Sequence, residues 1–290
     1  MFKSVLVATD LSDASDQVVG CLAALRSVGV DEVRLLHCLG IRHLEEMEHL
    51  FAPMVQPRLT AQKAALEGQG FTTTVEIVSG LPKFEVNRVA AERGCALVVV
   101  GTHGHTMSSE IRLGGVASEI IHNARQPVLL VRLEIATIQN QQRCVPVCQD
   151  LFGHLLFPTD FSDNAEHAFL VLKEFVARGA KRITLLHVQD QAKIGQRLAD
   201  KLPEFNQIDA ERLERMKKEL TSSGGAHVEC ELASGAPTSE ILARVRDRGI
   251  SLLLMGSQGR GYISEVFLGS VSHNVARLAP ASVLLVPAIR

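Results

Sequence analysis

Apolar and polar positions along the chain follow two alternating patterns. Short continuous runs rich in Val, Ile and Leu, which mark strands covered on both faces of a parallel sheet, are separated by longer stretches with helical spacing. The runs predict strands at residues 4–9, 33–38, 73–78, 96–101 and 127–132, and again at 154–159, 182–188, 227–232, 250–256 and 282–287. Between the first two strands Val18, Leu22, Leu25 and Val28 form a helical stripe. Ala168, Leu172 and Phe175 repeat it after FSDN, where Ser162 or Asp163 supplies the N-cap. Ile208, Leu213, Met216 and Leu220 mark a longer helix ended near Gly224 and Gly225. This alternation specifies an α/β fold built on a parallel sheet.

The same unit is written twice. SVLVATDLSDAS at 4–15 is answered by LLFPTDFSDNA at 155–165, with Asp10 and Asp160 in register 150 residues apart, and LLHC and LLHV keep that offset. After a five-residue length difference, SGLPKFEVNRVAAERGCALVVVGTHG at 79–104 aligns with SGAPTSEILARVRDRGISLLLMGSQG at 234–259. Each copy reads as βαβαβαβαβ. Residues 134–152 have no counterpart and carry a Gln/Asn cluster, so they read as a linker between domains at 1–133 and 153–290.

Composition narrows the function classes. Lys plus Arg (30) nearly balance Asp plus Glu (32), which disfavours nucleic acid and anionic membranes as partners. The apolar stretch at the N-terminus ends at Thr9 and Asp10, too short for a signal-peptide core or a membrane span, and a cytoplasmic location is expected. Six cysteines in 290 residues are too sparse for a disulfide scaffold. The pair Cys144 and Cys148 lacks a second ligand pair, and His103, His105 and His122 lack acidic or Cys partners, so no metal site is expected. The charged HLEEMEH stretch at 43–49 reads as solvated surface.

The candidate chemistry lies in MGSQGRGYISEVFLGSVSHN at 255–274. In open parallel sheets ligands bind beyond the carboxyl ends of the strands, where strand order reverses. If the first and fourth strands flank the reversal, Asp160 and Gly256 face one crevice. Gly256 and Gly259 then let backbone approach a ligand, and Gly269-Ser270 opens a helix whose free N–H groups and dipole favour an anion, a phosphate above all. Ser270 adds a hydroxyl donor, Arg260 a positive charge, and Asp160 an acceptor for ribose hydroxyls. Taken singly, these glycines shape turns and Asp160 and Ser270 cap helices; their joint placement at strand ends and a helix start favours the ligand site.

The stretch GSQGRGYISEVFLGS matches Gly-x2-Gly-x9-Gly-Ser/Thr and, with FPTDFS and LLHV, resembles the ATP-binding universal stress proteins in tandem form over nearly the whole chain. The resemblance implies two doubly wound domains, each a five-stranded parallel sheet of order 3-2-1-4-5 flanked by helices, with halves that pair through their last strands. Two fused copies satisfy that pairing as an internal pseudo-dimer, or two chains associate as a homodimer; the sequence leaves both open. The resemblance further implies that Pro158, Thr159 and Asp160 border the adenosine and that Val188 flanks adenine. Met255, Gly256, Ser257, Gly259 and Arg260 would line the ribose and phosphates, while Gly269, Ser270, Val271 and Ser272 would hold the phosphate tail. Ala8, Thr9, Asp10, Cys38, Gly101, Gly104, Gly114, Gly115 and Val116 form the weaker set of the first copy. There Gly115 stands where Ser270 does and Ala117 replaces Ser272. A hydrogen bond to a charged group contributes about 1.5–3 kcal/mol, roughly tenfold or more in affinity, so the second half is expected to be the stronger site.

The resulting expectation is an adenine-nucleotide sensor, binding ATP or AMP and acting through an unidentified protein partner. Its rivals are a slow Mg2+-dependent ATPase and a self-associating scaffold without nucleotide. No Walker lysine, Gly-x-Ser-x-Gly elbow or nucleophile triad is present in the sequence, and fast hydrolysis is not expected. His37 and His187, at the end of the second strand in each copy, read as strand-end hydrogen-bonding residues.

Overall fold

The computed structural model describes residues 2–40, 48–103, 113–138, 141–147, 150–190, 201–259 and 268–288. The chain divides into two units, residues 1–149 and 150–290. The first contains β1 (Ser4–Thr9), α1 (Asp13–Gly20), a 3-10 turn (Leu22–Arg26), β2 (Glu32–Cys38), α2 (Glu48–Gly68) and β3 (Thr72–Val78). It continues through α3 (Pro82–Glu92), β4 (Leu97–Gly101), α4 (Gly115–His122), β5 (Val128–Val131), β6 (Leu133–Ile138) and β7 (Gln141–Pro146). The second contains β8 (Leu155–Thr159), α5 (Asp163–Ala177), β9 (Arg182–Asp190), α6 (Leu202–Gly224) and β10 (His227–Gly235). It ends with α7 (Pro237–Asp247), β11 (Leu252–Gly256), α8 (Ser270–Leu278) and β12 (Ser282–Val286).

Strand pairing is parallel in both units, in the order β3-β2-β1-β4-β5 and β10-β9-β8-β11-β12. Each is the 3-2-1-4-5 arrangement of a doubly wound sheet. Val5, Leu6, Val7, Val98 and Val99 in the first unit, and Leu155, Leu156, Phe157, Leu253 and Leu254 in the second, are fully buried. Burial on both sheet faces explains why these strands read as unbroken apolar runs rather than alternating ones. Helices α5 and α6 pack together, as do α7 and α8; right-handed crossovers place one pair on each face.

Two elements differ from the sequence expectation. The stripe Val18, Leu22, Leu25 and Val28 is buried throughout, yet α1 stops at Gly20 and the chain continues as a 3-10 turn. Glycine in a helix interior costs about 1 kcal/mol relative to Ala, and α5, without one, runs unbroken for 15 residues. Residues 134–152, expected as a linker, include a hairpin in which β6 and β7 pair from Leu133↔Pro146 to Ile138↔Gln141. Leu133 is buried to 1% and β7 packs on α1. A Gln/Asn-rich linker can pair in this way because antiparallel backbone bonding accepts polar side chains.

Helix α6 ends where glycine permits it. Gly225 takes φ 68°, and its N–H donates to Thr221 O. Among the described residues no helix is long and apolar enough to cross a membrane.

Candidate functional site

Strand order reverses between β8 and β11, which opens a crevice at their carboxyl ends. Asp160 follows β8 there. Thr159 Oγ1 accepts from the Phe161 N–H at 3.0 Å, and Asp160 Oδ1 accepts from the N–H and hydroxyl of Ser162 at 3.1 and 2.6 Å. Ser162 then caps α5, its Oγ accepting from Ala165 N at 3.3 Å. Phe161 sits at φ 57°, a conformation that costs a bulky residue on the order of 1 kcal/mol or more and persists only where surrounding bonds over-determine it. The first unit repeats the turn: Leu11 at φ 63°, Leu11 N to Thr9 Oγ1 at 3.0 Å, and Ser12 N and Oγ to Asp10 Oδ1 at 3.0 and 2.6 Å.

The chain leaving β11 comes back against this turn. A Cβ on Gly256 would lie 2.8 Å from Asn164 Nδ2, and a Cβ on Gly259 would lie 2.5 Å from Asp160 Oδ2. Only a residue without a side chain lets the loop backbone meet the carboxylate this closely. Asn164 Nδ2 donates to Gln258 O at 2.9 Å, tying the loop to α5. Beyond the loop, Gly269 N donates to Ser257 O at 2.8 Å and caps α8 without a side-chain bond. The N–H groups of Ser270, Val271 and Ser272 open the helix and have no partner within it, and with the helix dipole they favour an anion there.

The other expected residues take distinct places. Pro158, Thr159 and Met255 are buried strand residues beneath the crevice, Val188 is partly buried one position beyond His187, and Ser270 is exposed. Ser257 is mostly buried, and its N–H donates to Val286 O at 2.8 Å. Ser272, expected on a phosphate tail, is buried to 4%, and its hydroxyl donates to Gly256 O at 2.9 Å. That hydroxyl latches α8 to the end of β11, and the first unit has no hydroxyl at the matching Ala117. Arg260 lies outside the described residues.

In the first unit Gly114 N donates to Thr102 O at 2.9 Å and Gly114 caps α4, which begins at Gly115. Val116 is 50% exposed. A Cβ on Gly101 would meet Val18 Cγ2 at 2.9 Å, so an apolar side chain fills the space that Asn164 occupies in the other unit. Ala8 and Asp10 are partly buried and Thr9 is buried. The Cys38 thiol is pushed up to about 12, mainly by burial and next by the nearby Glu85 carboxylate, so it stays neutral. Gly104 and His105 lie outside the described residues, as does Cys148. His103 Nδ1 meets Thr102 Oγ1 at 3.0 Å and His122 Nδ1 meets Ser118 O at 2.7 Å.

His37 and His187 both bond at the strand end, Nδ1 to Thr9 O at 3.0 Å and Nδ1 to Thr159 O at 2.7 Å. Residues that sequence reading missed surround His187. Its Nε2 lies 3.5 Å from Asp209 Oδ2, its ring is 4.5 Å from that of Phe161, and the Arg212 guanidinium lies 5.2 Å from the Phe161 ring. The apolar Phe161 inside an otherwise polar turn was a usable signal. Asp209, beside the stripe residue Ile208, carried none, because helical spacing marks the apolar face and leaves polar neighbours unranked.

Comparison with known proteins agrees with this architecture. The universal stress protein family matches residues 1–132 and 151–287, and the chain belongs to that family, with its fold unit present twice. It is 33% identical over 155 residues to a universal stress protein of Methanocaldococcus jannaschii, covering 47% of this chain and 95% of that protein. It is 26% identical over 232 residues to one of Mycolicibacterium smegmatis, covering 78% of this chain and 74% of the relative. The crystal structure of a universal stress protein from Archaeoglobus fulgidus shares the fold, with a TM-score of 0.73 at 24% identity over 98% of this chain and 96% of that one.

Proposed function

We propose that the chain is an adenine-nucleotide-binding stress-response regulator whose principal site is in the second unit and whose occupancy sets its interactions with a partner protein. ATP, carrying Mg2+, or AMP is the ligand class. One observation carries this reading: the Asp160 carboxylate, the Gly259 backbone and the amino end of α8 converge at the strand-order reversal. A carboxylate that accepts ribose hydroxyls beside a helix amino end that accepts phosphate is the polarity a nucleotide requires. Pro158, Thr159 and Val188 would border the nucleoside, and Gly256, Ser257, Gly259, Arg260, Gly269, Ser270 and Val271 the phosphates. Asp10, Gly101, Gly104, Gly114 and Gly115 would form a weaker site lacking the Ser270 hydroxyl.

Calorimetric titration of the full chain with ATP and AMP tests the reading, alongside mass spectrometry of small molecules released on denaturation. Ser270→Ala and Gly269→Val are expected to weaken binding at one site and leave a second, weaker isotherm in place. Unchanged affinity in both variants refutes the phosphate assignment.

A further inference from the structure

We propose that Asp209 is a positioning residue for the second unit's crevice, acting through His187 on the turn that presents Asp160; its link to affinity rests on the nucleotide reading above. His187 is buried to 7%. Its Nδ1 lies 2.7 Å from Thr159 O, so the ring donates there, since a carbonyl oxygen only accepts. The opposite nitrogen faces Asp209 Oδ2 at 3.5 Å, an ion-pair contact made when Nε2 also carries a proton, since a neutral ring donating through Nδ1 presents only a lone pair to the carboxylate. Asp209, only 14% exposed, is itself held: Gln189 Nε2 donates to Oδ2 at 3.0 Å, and Arg212 Nη1 lies 3.8 Å from Oδ1. Phe161, the strained residue of the turn, stacks against the same imidazole.

The chain contains its own control. In the first unit the same Thr-Asp-x-Ser turn is bonded by His37, with Nδ1 3.0 Å from Thr9 O. Yet Leu11 and Leu39 stand at the positions equivalent to Phe161 and Gln189, and with α2 and α6 aligned on their buried leucines (Leu59 with Leu213, Leu66 with Leu220) the apolar Val55 stands in place of Asp209, while Arg58, the match of Arg212, pairs with Asp13 and Asp16 of α1 instead. The second unit therefore adds a tether from α6 to its ligand-facing turn. It serves the unit that also keeps the intact glycine signature.

Hydrogen exchange of the full chain without nucleotide, read by mass spectrometry, separates the two turns. The amides of Phe161 and Ser162 are protected by Thr159 Oγ1 and Asp160 Oδ1, and those of Leu11 and Ser12 by the same bonds in the first unit. Asp209→Ala, which removes the carboxylate that Gln189 bonds and His187 faces, is expected to speed exchange over 159–162 and to weaken ATP binding at the stronger site, each by roughly tenfold, the scale of one lost charge-assisted contact. Exchange over 9–12 stays unchanged. Asp209→Asn, which keeps the size and a polar partner for Nε2, recovers most of both. Unchanged exchange over 159–162, equal acceleration in both turns, or no recovery in Asp209→Asn overturns the proposal. Accelerated exchange over 159–162 alone, in a protein whose wild type binds neither ATP nor AMP, supports the tether and removes the nucleotide reading.

Discussion

Gly259→Ala tests the crevice most directly. The added methyl would sit 2.5 Å from Asp160 Oδ2, where ordinary contact needs about 3.5 Å or more, so about 1 Å must be found. The carboxylate cannot swing away freely, because Oδ1 is fixed by the Ser162 N–H and hydroxyl at 3.1 and 2.6 Å. Moving it costs some of the roughly 1.5–3 kcal/mol each such charged bond contributes; moving the loop instead withdraws its backbone from the ligand. Either way one contact of the proposed nucleotide site is lost, Asp160 to a ribose hydroxyl or loop backbone to phosphate, which predicts a Kd about 10- to 100-fold higher for both ATP and AMP. Isothermal titration calorimetry of the full chain measures it, with Gly101→Ala as the comparison at a glycine whose neighbour is Val18 rather than a carboxylate. A Gly259→Ala protein that binds both nucleotides with wild-type affinity refutes the close approach of loop and carboxylate as the basis of the site.

Other consequences follow from single bonds. Ser272→Ala removes the hydroxyl that satisfies Gly256 O and should destabilise the protein by about 1 kcal/mol, seen as a lower urea midpoint, with smaller change in phosphate affinity than Ser270→Ala; the reverse ranking contradicts the latch. His154 is buried to 4% and its pKa is lowered chiefly by that burial, with the Arg182 charge next. The unfolded chain thus takes up the proton first: stability is full above the ordinary histidine value near ~6.5 and falls as pH drops through it, by at most about 1.4 kcal/mol per unit. Urea titrations at pH 7.5 and 5.5 should differ accordingly, and His154→Gln should shrink that difference; an undiminished slope counts against the assignment. Cys38, with its thiol at about 12, should alkylate at pH 8 more than about a hundredfold slower than an ordinary exposed thiol because so little thiolate forms, as read by peptide mass spectrometry; rapid labelling would mean that its surroundings open.

Much of the molecule was legible along the chain because its strands are covered on both faces. Burial on two sides admits only apolar residues, so runs such as Val98–Val100 and Leu252–Leu254 announce themselves without neighbours. The duplication was equally plain, since Asp10 and Asp160 repeat at constant spacing, and so were the glycines, because close backbone approach excludes every other residue. What stayed hidden depends on residues far apart in sequence. Asn164 gained its role by meeting Gln258, the Ser272 hydroxyl met Gly256 O, and Asp209 found His187 across α6 and β9. A polar side chain has several partners it could satisfy, and one-dimensional spacing does not rank them. Folding ranks them by placing one partner within 3–3.5 Å of each, which is why the fold and the glycine loop belonged to the sequence while the assignment of individual donors belonged to the tertiary structure.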